Sequence, residues 1–167
     1  MKIIFLGTNG WYDTKTGNTL SILIAAKRHN IVLDAGNGFA KLDRVLSNSN
    51  PIFLFLSHFH LDHLIGLHTL LKFSFSQKLT IAGPRGTEKV LRALLKQPFT
   101  APLDRLPYKT EILELPRDGA YFPFKVEAFN LVHPPLSMGY RFDLEGKKIA
   151  YCPDTGYCKN AVTLAKG

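Results

Sequence analysis

The chain has 167 residues, 46% of them hydrophobic and 20% charged, with a formal net charge of +8. That length fits one domain over residues 1–167 with a real core, and the balance is that of an ordinary soluble globular protein. Apolar runs fall short of the ~20 residues needed to cross a bilayer, the opening segment reads as a strand and not a signal peptide, and Cys152 and Cys158 make no disulfide framework; a reduced, cytoplasmic setting without a membrane partner is expected.

Strands are predicted first over residues 3–6, 19–25 and 30–33, where β-branched and aromatic residues sit between Gly, Asn and Asp. Helical spacing of Phe39, Leu42, Val45 and Leu46 then predicts a helix over 38–47, followed by a buried strand over 52–56. A second helix is expected over 63–73, carrying Leu64, Leu67, Leu70 and Leu71, then a strand over 79–82. The third helix, 87–96, starts at a Gly-Thr cap with Glu88 in its first turn and Lys96 near its end. Residues 97–107 contain three prolines and form a crossover or a lid, the former matching usual connection lengths. Strands over 111–115, 124–131, 139–144 and 148–152 follow, the last two joined by a hairpin turn at Glu145-Gly146, and a closing helix begins near Asn160.

One segment carries the chemistry. His58-Phe59-His60-Leu61-Asp62-His63 places three imidazoles and a carboxylate in six residues, directly after the apolar strand that ends at Ser57. Residues two apart in an extended segment point the same way, so His58 and His60 can meet one ion. Asp62 and His63, where the chain turns, aim toward a second. Imidazole and carboxylate suit zinc, manganese or iron and need no thiolate. Residues 72–109 carry eight cations against two anions, either a face that attracts an anionic substrate or an ordinary solvated surface. His68 reads as a helix-face residue, His29 as a solvated turn residue and Arg141 as a strand-surface residue.

The motif His58-x-His60-x-Asp62-His63 resembles the signature of the metallo-β-lactamase fold superfamily. Lys2 through Thr8, Asp34-Ala35-Gly36, Leu131-Val132-His133 and the strand ending at Asp154-Thr155 resemble its other motifs in the same order. Gly139-Tyr140-Arg141 and Asp154-Thr155 are most similar to its ribonuclease Z and phosphodiesterase branch. The resemblance implies an α/β fold, a four-layer αββα sandwich, and two divalent metal ions, zinc first. It assigns His58, His60 and His133 to one ion and Asp62, His63 and Asp154 to the other, with Asp154 bridging. It implies hydrolysis of a phosphodiester, nucleic acid or a smaller cyclic ester, by a hydroxide between the metals, with Asp62 assisting proton transfer. His133 is followed by Pro134-Pro135, which would end its strand and stiffen the ligand. Asp34 either accepts from a ligand imidazole or is a turn aspartate before Gly36.

Three departures from that pattern matter. No histidine follows His133, residues 160–167 read as a helix leading into a further strand, and residues 141–154 form a tight hairpin with no room for a tRNA-gripping arm. The first two lead us to expect a sandwich incomplete at its C-terminus, whose unpaired sheet edge favours a homodimer or strand exchange. The third favours a smaller phosphodiester over tRNA. The alternatives are a thioester or lactam hydrolase of the same fold, or an inactive binding member.

Overall fold

The computed structural model describes residues 1–134 and 136–166. Pro135, expected to help end the strand before it, and Gly167, in the expected closing segment, lie outside the described residues. Two sheets organise the chain. A six-stranded sheet runs in sequence order through β1 (Lys2–Gly7), β2 (Ser21–Ala25), β3 (Asn30–Leu33), β4 (Ile52–Phe55), β5 (Leu79–Pro84) and β6 (Thr110–Leu115). Its first three strands pair antiparallel, and β3 through β6 pair parallel. A three-stranded antiparallel sheet holds β7 (Lys125–Asn130), β8 (Met138–Leu144) and β9 (Lys147–Tyr151).

Strand β4 explains the layering. It is apolar at every position because both of its faces are covered, as in a central parallel strand. Ile52 and Leu54 enter a core under the helices, and Phe53 and Phe55 enter a second core between the sheets. Phe55 is fully buried there, with ring centroids 4.8 Å from Phe142, 5.0 Å from Phe122 and 5.2 Å from Tyr140. On the helical side lie α1 (Leu42–Val45), α2 (Leu61–Leu64) and α3 (Thr87–Leu94). Glu114 of β6 accepts from the Gly86 and Glu88 amides and so caps α3, where the left-handed Gly86 offers no side chain to do it. The fourth layer is α4 (Lys159–Ala165), which packs on β7, β8 and β9. Gly139 makes room for it, since a Cβ there would stand 2.7 Å from Leu164 Cδ1. The αββα order expected from sequence is therefore present.

Two expectations change. The second helix is α-helical only over Leu61–Leu64 and continues as a 3₁₀ helix over Ile65–Lys72. Tertiary bonds take the groups an α-helix would use: Ala35 N–H donates to the His63 carbonyl and Gly66 N–H donates to the Ala35 carbonyl, both at 2.8 Å. The first predicted helix likewise begins as a 3₁₀ turn, Asn37–Lys41, before α1. The hairpin turn falls where expected, with Glu145 and Gly146 both at positive φ. Residues 97–107 form the crossover from α3 to β6 and include a 3₁₀ turn, Leu103–Arg105. Among the described residues no helix is long and apolar enough to cross a membrane.

Candidate metal centre

The ends of β1, β3, β4, β7 and β9 gather at one edge of the two sheets, and each of the last four is followed by a candidate site residue. Asp34 comes directly after β3, His58 to His63 follow β4, His133 follows β7 and Asp154 follows β9. The loops after β7 and β9 are tied together: Gly156 N–H donates to the Val132 carbonyl at 2.7 Å and Val132 N–H to Thr155 Oγ1 at 3.2 Å. That pairing brings His133 and Asp154 side by side.

Ligand atoms of His58, His60, His133 and Asp154 all lie within 4.8 Å of one another, a spacing a single cation can bridge. His60 Nδ1 is 3.0 Å from His58 Nε2 and 3.2 Å from His133 Nε2. Beside this group, His63 Nε2 lies 3.5 Å from Asp62 Oδ2 and 3.6 Å from Asp154 Oδ1, while Asp154 Oδ2 lies 3.7 Å from His133 Nε2. The two oxygens of Asp154 thus face different histidines.

Proton placement follows from the buried partners. Asp34 is fully buried and accepts from Ser57 N–H at 2.7 Å, Ser57 Oγ–H at 2.7 Å, Tyr151 O–H at 2.6 Å and His63 Nδ1–H at 2.8 Å. The serine proton goes to Asp34, so Ser57 Oγ accepts from His58 Nδ1–H at 2.9 Å. In both rings Nδ1 holds the proton and Nε2 keeps its lone pair toward the cluster. Among the described residues His63 Nε2 is buried without a hydrogen-bond partner, an uncommon and costly state for a polar atom. A cation at that lone pair, between two carboxylates, removes the cost. The donor set therefore fits divalent metal.

Electrostatics agree. Burial, with His63 as a further cause, pushes His58 down to about 4, so this ring is neutral near pH 7 and free to ligate. Burial also opposes a charge on His63, but the Asp34 hydrogen bond and the charges of Asp34, Asp62 and Asp154 outweigh it and raise its pKa. Groups that draw a proton to His63 draw a metal cation equally well.

His58, His60, Asp62, His63, His133 and Asp154 lie around this one cluster, and Asp34 accepts from the His63 imidazole. Three participants had escaped: Ser57 and Tyr151, which share Asp34, and Trp11, whose backbone N–H donates to Asp62 Oδ2 at 2.7 Å. The alternation of β9 carries a signal for Tyr151, the inward residue at its end; nothing in the sequence marks Trp11. His68 is exposed and its ring bonds the Ile65 carbonyl, away from the cluster. His29 is not solvated as expected: it packs edge-on against Phe53 and Phe124, and burial lowers its pKa. Arg141 lies on the outer face of the small sheet, paired with Glu127 and donating to the last carbonyls of α4. Within the basic segment Lys72, Lys78 and Arg92 pair with Asp43, Glu111 and Glu88, and no residue of that segment lines the cleft beside the cluster.

Comparison with known proteins is consistent with this architecture. A ribonuclease Z of Nanoarchaeum equitans is 32% identical over 153 residues, covering 87% of this chain and 47% of that protein. A ribonuclease BN of Citrobacter koseri is 34% identical over 166 residues, covering 88% of this chain and 51% of its own length. The chain spans about half the length of the curated relatives it matches. In three dimensions it is similar to human tRNase Z, short form, with a TM-score of 0.75 at 23% identity, covering 98% of this chain and 74% of that one. A metallo-beta-lactamase fold protein from Bacillus subtilis gives 0.72 at 18% identity, covering 95% and 64%. The beta-lactamase superfamily domain matches residues 29–166, and with that match and the metallo-β-lactamase fold of its structural neighbours the chain belongs to the beta-lactamase superfamily.

Proposed function

We propose that the protein is a metal-dependent phosphodiesterase acting on RNA, with two zinc ions as its cofactor. His58, His60 and His133 would hold one ion and Asp62 and His63 the other, with Asp154 shared between them. The observation that carries this reading is the pairing of an orphaned, buried His63 Nε2 with a carboxylate whose other oxygen faces His133. Relatives named ribonuclease Z support the phosphodiester and RNA as substrate class.

Bound divalent ions supply Lewis acidity toward a phosphoryl oxygen and lower the pKa of coordinated water. The chain's own residues do the rest. Asp34 and Ser57 fix the tautomers of His63 and His58, so both lone pairs are aimed before any ion arrives. The Trp11 amide anchors Asp62 through Oδ2, and we assign to Asp62 the proton passed to and from the reacting oxygens. The free cysteines support a reduced, cytoplasmic setting. Ile3 and Phe5, exposed on edge strand β1, support a homodimer, which light scattering on the eluted protein tests.

The test is turnover of bis(4-nitrophenyl) phosphate, cyclic nucleotides and precursor tRNA after chelation and after restoring zinc or manganese. Metal-dependent cleavage of phosphodiesters is expected. Hydrolysis of acyl thioesters or lactams without phosphodiester cleavage would overturn the assignment.

A further inference from the structure

Trp11 is the only tryptophan in the chain, and 86% of it is exposed. Its backbone sits at φ 66, in the left-handed region where a bulky side chain is a genuine outlier. Glycine or asparagine would hold that conformation at less cost, and Gly10 is next to it. Strain of this kind persists where surrounding bonds enforce it and is concentrated at functional sites. Here the bonds are plain. Trp11 N–H is fixed by Asp62 Oδ2, and Tyr12 N–H returns to the Gly10 carbonyl at 2.8 Å. Asp13 then pins the loop by accepting from Thr19 N–H at 2.7 Å, Asn18 Nδ2 at 2.8 Å and Asn37 Nδ2 at 3.0 Å. The loop backbone at Trp11 is therefore pinned, and it presents a large, solvent-facing indole.

That place is beside the metal centre. A cleft of about 330 Å³ is lined by Trp11, Leu61, His60 and Asp62. Its size is at the low end of the roughly 300–1,000 Å³ of small-molecule sites. Leu61 is also exposed, at 61%, so the cleft pairs an apolar wall of Trp11 and Leu61 with two candidate metal ligands. His60 and Asp62 line this cleft and also belong to the candidate metal centre, so an occupant of the cleft adjoins whatever that centre holds. The flat, apolar-faced group that a sugar carries beside a phosphodiester is a nucleobase, and a flat indole at low rotamer cost is the surface that stacks with any base.

We propose that the Trp11 indole is the stacking platform for the nucleobase flanking the scissile phosphodiester, and so selects nucleotidyl esters over base-free ones. This rests on the phosphodiesterase reading above and names its substrate class. The stacking itself makes no demand on sequence, because every base presents a π-face.

Two measurements test it. The first compares thymidine 5′-(4-nitrophenyl phosphate) with its base-free 1,2-dideoxyribose analogue on the metal-loaded protein. Trp11→Ala, which keeps the backbone N–H to Asp62, is expected to raise KM about 5- to 150-fold for the thymidine ester with kcat unchanged, to raise it by a clearly smaller factor for the base-free ester, and to be rescued by Trp11→Phe. An equal loss on both esters makes Trp11 a structural residue and overturns the proposal, as does no loss on either. The second needs no turnover. As the sole tryptophan, Trp11 reports contact through its own emission. Saturable quenching by a short single-stranded RNA, absent with an abasic oligomer of equal length and charge, is expected; equal responses to the two refute stacking. If the protein hydrolyses neither ester, the phosphodiesterase reading fails, and the quenching result still decides whether Trp11 binds bases.

Discussion

Asp34→Asn isolates the orienting carboxylate. Asparagine keeps the shape but turns one oxygen into an NH₂ donor. Asp34 Oδ1 faces Ser57 N–H, and Oδ2 faces Ser57 Oγ, His63 Nδ1 and Tyr151 Oη. With the amide nitrogen at the Oδ1 position, two N–H donors confront each other and one buried donor is left unmet, at about 1–3 kcal/mol. With it at the Oδ2 position, the hydroxyls can rotate to accept, but His63 must also accept at Nδ1 and so carries its proton on Nε2. That tautomer has no lone pair for an ion. At about 2–4 °C per kcal/mol for a chain of this size, the first orientation lowers the melting temperature of the metal-free protein by roughly 2–12 °C. In both orientations the carboxylate charge that raises the basicity of His63 is lost, and metal affinity falls about 10- to 100-fold. Calorimetric melting of the metal-free form, with zinc titration against a competing chelator, separates the two effects. A variant that melts lower but binds zinc as wild type does would refute the claim that the Asp34 carboxylate readies His63 for metal.

Asp154→Asn should lower metal content per chain by elemental analysis, since it removes the charge between His133 and His63; unchanged stoichiometry would count against a shared carboxylate. In Gly66→Ala the new Cβ would stand 2.1 Å from the Gly36 carbonyl oxygen, so overpacking of about 1–3 kcal/mol and weaker zinc binding are expected, and a wild-type melt would contradict that. Phe55→Ala empties the centre of the aromatic core between the sheets and should cost about 3–5 kcal/mol in urea unfolding, and a loss below about 1 kcal/mol would mean that the sheets are not held together there.

Strand β4 was legible as an unbroken apolar run, and β8 as an alternating one. In β8, Tyr140, Phe142 and Leu144 turn inward, and Arg141 must then face out, where it meets Glu127 and α4. The helix after the histidine-rich motif was legible in position but not in type, because its backbone partners are the Ala35 carbonyl and N–H, twenty-eight or more residues away in sequence from His63 and Gly66. Gly36 and Gly66 make that approach possible, and periodicity says nothing of it. For the site, the cluster from His58 to His63 announced itself through density of ligands in one turn. His133 and Asp154 came only from the resemblance, since a single histidine or aspartate after a strand has no local mark. Ser57 and Tyr151 stayed hidden for a related reason: their task is defined by Asp34, and only the packing of one sheet on the other brings the three together.

That packing is what the centre depends on. His58, His60, Asp62 and His63 belong to the large sheet, whereas His133 and Asp154 belong to the small one, so the ligand atoms come within reach only if the sheets keep their spacing. Three polar contacts cross the gap at this edge: Met138 N–H to the Ser57 carbonyl at 2.8 Å, Tyr140 O–H to the Leu56 carbonyl at 2.5 Å, and Tyr151 O–H to Asp34 at 2.6 Å. All three end on residues 34, 56 and 57, beside the candidate ligands. Below them the Phe55 cluster fills the space and resists compression as close-packed interiors do. An aromatic core that fixes the distance and buried hydroxyls that fix the register together pre-position imidazoles from one sheet against a carboxylate from the other, so that binding a cation needs little rearrangement.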